Sequence, residues 1–99
     1  MSKYIISDEG RHYLDGILPT FTFPNRINSI RGAIKTVVVA ENGDSSFANL
    51  KRLENIVREF LCRNGFGHDA DYVFIIDEKG MELKECGSLA AFEEKENII

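Results

Sequence analysis

Four residues of zinc-binding type, His12, Cys62, His68 and Cys86, are spread along the chain at spacings that match no known ligand pair. A metal site is therefore not expected. Asp69, Asp71, Asp77 and Glu78 could offer oxygens to a hard cation, but their stretch lacks the alternating ligands and central glycine of an EF-hand. A solvated acidic loop is the simpler expectation. Nucleophilic catalysis needs a serine or cysteine converging with a base and an orienting acid. His68-Asp69 is the one adjacent His–acid pair, and neighbours in sequence rarely face each other productively. The expectation is a chain with no enzymatic activity, no cofactor and no small-molecule substrate. Gly65 and Gly67 follow a helical pattern instead of opening one, so their amides are not placed to cradle a phosphate. Cys62 and Cys86 form no Cys-x-x-Cys pair and read as free thiols of a reducing compartment, with Cys62 on a polar helix face.

What remains is charge. The net charge of −4 argues against indiscriminate nucleic-acid binding, yet it is unevenly spread. Residues 1–25 sum to −1, residues 26–63 to +3 and residues 64–99 to −6. Five polar residues of the middle third, Lys51, Arg52, Asn55, Arg58 and Arg63, could contact phosphates and base edges, assisted by Arg26, Arg31 and Lys35. Cations serve there because each neutralised phosphate releases counterions, and Asn or Arg can read base edges in the major groove. The acidic C-terminal third would face away.

The element that must position these groups is a helix over 45–63. Leu50, Leu53, Ile56, Val57, Phe60 and Leu61 form one apolar stripe at helical spacing. Asp44, Ser45 and Ser46 can cap its start, and Asn64-Gly65 can end it. A second stripe, Ile27, Ile30, Ala33, Ile34, Val37 and Val38, predicts another helix, capped by Asn25 or Asn28. Thr36 to Val39 is a β-branched run that could instead be a strand.

Around these two helices, residues 3–7 read as a short strand stopped by Asp8-Glu9-Gly10, followed by a helical turn ending at Gly16. Residues 18–29 carry both prolines and read as an extended segment with Phe21 and Phe23 buried; the alternative is a pair of exposed recognition aromatics. Residues 65–71 read as a loop and 72–76 as a strand, with a short helix to Cys86 and a charged helical tail within 88–99. The strand and acidic turn at 4–10 recur at 74–80, so the two terminal strands are expected to pair.

Phe74, Ile75 and Ile76, then the acidic turn, Gly80 and Leu83, resemble the final wing strand and following helix of winged-helix domains; Tyr4 to Leu14 echoes the same pattern. Tyr13 to Pro19 is also similar to the amino-terminal winged-helix region of archaeal-type phenylalanyl-tRNA synthetase α chains. The resemblance implies that the helix over 45–63 is a recognition helix and that duplex DNA is the partner. The expected fold is α+β, a single domain with two central amphipathic helices, a small sheet of N- and C-terminal strands and a winged-helix-like form. The expected function is a small regulator-like nucleic-acid-binding domain; the alternative is a protein-interaction module or small structural subunit, pairing with another protein or with itself. With no apolar run of signal-peptide or membrane-spanning length, a cytoplasmic protein is expected.

Overall fold

The computed structural model describes residues 4–22, 26–27, 29–71 and 73–97. Its first helix, α1 (Asp8–Ile17), begins where the sequence was expected to stop a strand. Ser7 accepts a hydrogen bond from the Gly10 amide at 3.1 Å, and Asp8 and Glu9 suit the positive end of the helix dipole. Tyr4 to Ser7 is consequently a non-strand lead-in, and the pairing of terminal strands is not formed. The same Asp-Glu-Gly chemistry that can end a strand starts a helix here. Gly16 does not end it, because α1 runs on to Ile17 and into a 3₁₀ turn, Leu18–Thr20, with Pro19 in its first positions.

Phe21 is fully buried, as expected, whereas Phe23 lies outside the described residues. A two-residue strand, β1 (Arg26–Ile27), precedes α2 (Ile30–Ala40). Ser29 caps α2 by accepting from the Gly32 amide at 2.9 Å, in place of the asparagines expected. The β-branched run is helical, because Ile34 and Val38 are buried at helical spacing and tertiary packing outweighs the rotamer cost of branching. Asn42, at φ 57°, turns the chain towards α3 (Phe47–Arg63), which Ser46 caps through the Asn49 amide at 3.4 Å.

Gly65, at φ 77°, leads into β2 (Gly67–Ala70), which had been expected to be loop. This short strand carries Gly, His, Asp and Ala, so neither alternation nor β propensity marks it. Its partner β3 (Val73–Ile76) supplies the apolar side chains. The two pair antiparallel from Gly67↔Ile76 to Ala70↔Val73, and β1 pairs on the other edge of β3 through Arg26↔Ile75 and Ile27↔Phe74. The sheet order is β1-β3-β2. The strand that pairs with the free edge of β3 is thus 26–27, and the described residues 4–7 of the expected terminal strand are not part of the sheet. Helices α4 (Glu78–Cys86) and α5 (Leu89–Asn97) follow, separated by Gly87 at φ 86°.

The chain is α+β, and its core lies where α1, α2 and α3 meet the sheet. Leu14 and Ile17 of α1, Ile34 and Val38 of α2, and Leu53, Val57 and Leu61 of α3 are all buried. Tyr4, Phe60, Phe66 and Phe92 form an aromatic cluster with centroids 5.4 to 6.1 Å apart, which ties the N-terminal lead-in and α5 to the foot of α3. Arg11–Glu93 and Tyr4–Glu96 close the same seam from the polar side. No helix among the described residues is long and apolar enough to cross a membrane.

Candidate functional site

Helix α3 buries Leu50, Leu53, Val57, Phe60 and Leu61, so its remaining face is what the fold can present. The five polar residues expected to act together divide along its length. In the first three turns, Lys51, Arg52 and Asn55 are exposed. Further on, Arg58 and Arg63 are engaged by the protein itself. Arg63 donates to the Ile5 carbonyl oxygen at 3.0 Å, which pins the N-terminal lead-in to the end of the helix.

Arg58 is held by acids. Its Nη2 donates to Glu54 Oε2 at 3.0 Å, and its buried Nε lies 3.4 Å from Asp69 Oδ1 without a hydrogen bond. Asp69 stands on β2, so the acidic third of the chain does not wholly face away, as had been expected. Glu54 also accepts from Arg31 of α2, whose Nε and Nη2 reach Oε1 at 3.2 and 3.1 Å. A carboxylate 5% exposed is thereby held between two arginines from different helices. Burying an unpaired carboxylate would be costly, and both oxygens here are satisfied. Beside it a cleft of about 140 Å³ opens, lined by Ser29, Ile30, Glu54, Arg58, Asp69 and Asp71 among others.

Arg52 forms an exposed bidentate pair with Glu9 of α1, at 2.6 and 3.0 Å, and donates to Asn49 Oδ1 at 2.7 Å. The Arg52 hydrogen bonds hold the Glu9 carboxyl below its ordinary range. Both side chains of this pair stand in water, which screens the attraction and leaves Arg52 loosely held. Lys35, one turn beyond Arg31 on α2, and Lys51 are both exposed, and neither forms an ion pair among the described residues. Lys51 Nζ instead lies 5.9 Å from the centroid of the Phe47 ring, and the Arg31 guanidinium lies 4.8 Å from it. Phe47 is 62% exposed at the first position of α3.

Two members of this site escaped sequence reasoning. Glu54 had a readable signal: it stands four residues after Leu50 and three before Val57, an acid within the apolar stripe, with Arg58 one turn on. Phe47 had a weaker one, an aromatic one turn before a lysine at a helix start. Of the remaining candidates, Cys62 is exposed as expected, and burial with nearby acids raises its thiol pKa, which makes it a poor nucleophile. His68 contacts Asp77 at 3.0 Å across the hairpin and not the adjacent Asp69. Among the described residues no three His, Cys, Asp or Glu side chains converge to hold a metal ion. No family model, no curated protein and no solved structure matches the chain.

Proposed function

We propose that this chain is a winged-helix-like nucleic-acid-binding module that takes hold of phosphates with the N-terminal half of α3 and the adjoining face of α2. The order helix, strand, helix, helix, strand, strand, with β3 between β1 and β2, supports that reading. In it α3 is the recognition helix and the β2–β3 hairpin the wing. The observation that carries the proposal is that Lys35 of α2 and Lys51 of α3 are exposed with no ion pair among the described residues, and that Arg52 of α3 is held only by an exposed pair. Asn55 lies one turn beyond Lys51, where it can reach a base edge. The wing carries Asp69 and Asp71, so it repels phosphate, and binding is confined to the helices.

The protein-interaction alternative needs a contiguous apolar surface. Among the described residues the exposed large apolar side chains are Ile5, Val39 and Phe47. Ile5 is tied to Arg63 at one end of α3 and Phe47 begins the other, about 24 Å away along a helix rising about 1.5 Å per residue. Val39 lies two turns along α2 from Arg31, which contacts Phe47. Separated residues of this kind are ordinary surface, so the described residues offer the interaction reading no contiguous apolar patch.

Fluorescence anisotropy with a labelled duplex tests it. Two lysines neutralising two phosphates give a slope of log K on log salt of about −1.8, rising to about −2.7 if Arg52 leaves Glu9. Lys51→Ala should reduce the slope by about 0.9, and Lys35→Ala with Lys51→Ala should abolish binding. Absence of binding at low salt would refute the proposal.

A further inference from the structure

Phe47 is the large side chain that the phosphate grip leaves unexplained. It is the first residue of α3, 62% exposed, and it is not held by the core. Its ring instead has a cation over it: the Arg31 guanidinium lies 4.8 Å from its centroid, and Glu54 holds that guanidinium by two hydrogen bonds. Lys51 approaches the ring from its own helix. The result is a largely exposed aromatic ring beside two cations, one of them held by a buried carboxylate.

An aromatic surrounded by positive charge is suited to a partner that offers a flat π-system next to negative charge, and a nucleotide offers both. In an intact duplex the faces of the bases are covered by neighbouring pairs, so the ring could meet only groove edges. We infer that Phe47 is a stacking platform for an unpaired base, and that the target is a duplex with a fork or overhang. Lys35, Lys51 and Arg52 hold the flanking phosphates. This inference rests on the nucleic-acid reading above.

The test uses the full chain with a blunt duplex and with the same duplex carrying a short overhang that contains 2-aminopurine, whose fluorescence falls on stacking. The overhang substrate should bind more tightly and be quenched. Phe47→Leu, which keeps an apolar side chain but no ring, should weaken overhang binding roughly 5- to 150-fold and remove the quench. Phe47→Tyr should retain both effects. Equal binding of the two substrates, with Phe47→Leu indistinguishable from the parent, would overturn the stacking role while the phosphate grip stands. No binding of either substrate at low salt would overturn both. The same overhang made of RNA decides whether the unpaired strand is DNA or RNA, and stronger quenching with either supports the platform.

Discussion

Glu54→Gln separates the structural and the functional halves of the site in one substitution. The Glu54 carboxylate accepts three N–H bonds, two from Arg31 on Oε1 and one from Arg58 on Oε2. Glutamine keeps the volume but places an NH₂ where one oxygen stood, so a donor faces an arginine donor. Charge-assisted bonds are worth about twice neutral ones, roughly 1.5–3 kcal/mol each. The two arginine side chains are more than a third exposed, which lets them turn to water and discounts that cost. A net loss of about 1–2 kcal/mol follows, or a fall in Tm of about 4–16 °C for a domain of this size. Binding should move the other way. With Arg31 no longer neutralised and Arg58 left only with Asp69, the salt slope on duplex should steepen from about −1.8 towards about −2.7. Thermal unfolding followed by circular dichroism reads the first effect, and anisotropy at several salt concentrations reads the second. A Tm within a degree of the parent would refute the buried clamp. A lower Tm with an unchanged slope would show that the two arginines stand away from the path of the nucleic acid.

Gly80→Ala should lower stability by about 2 kcal/mol or more, since its Cβ would overlap the Phe66 carbonyl oxygen and come within 2.5 Å of Ile76 Cγ2, outweighing the better helix propensity of alanine. Gly32→Ala is the control: its Cβ meets only Ser29, at 3.4 Å, so it should stabilise by up to about 1 kcal/mol, and urea midpoints compare the two. Tyr4→Phe removes a hydrogen bond to Glu96 and should cost about 1 kcal/mol below pH 10. Burial, that bond and the nearby Glu96 and Glu93 hold the Tyr4 hydroxyl pKa well above its ordinary value. The folded chain therefore keeps the proton after the unfolded chain releases it at about pH 10, and this stabilisation is lost as pH rises from there. The Tm difference between parent and Tyr4→Phe should be constant below pH 10 and narrow above it; a constant gap up to pH 11 would refute the assignment.

Periodicity made the two central helices legible because each buries three or more turns of one stripe, and a stripe of that length dominates local preference. Thr36 to Val39 illustrates this, a strand by composition and a helix by packing. The sheet was harder to read because its order follows from backbone pairing and not from side chains. β1 has two residues, and β2 presents His68 and Asp69 to solvent, so only β3 leaves a trace in the sequence. Residues 4–10 and 74–80 show the same difficulty. Both run from apolar residues through an acidic turn to glycine, and in both the acids open a helix, but only the second follows a strand, because only there does a hairpin partner lie close by.

The candidate site follows the same logic. Residue spacing placed Lys51, Asn55 and Arg58 opposite the apolar stripe with Arg52 and Arg63 on its flank, and type alone cannot tell a cation offered to solvent from one already used. Arg58 is used because Glu54 and Asp69 reach it from α3 and β2, and Arg63 because Ile5 does. The acid inside the stripe is what distinguishes the two halves of the helix. Glu54 can be buried only if cations come to it, and the residues that come are Arg31 and Arg58. The same carboxylate that withdraws Arg58 from the surface holds Arg31 against Phe47, so what α3 and α2 leave exposed here is set by a residue that is itself buried.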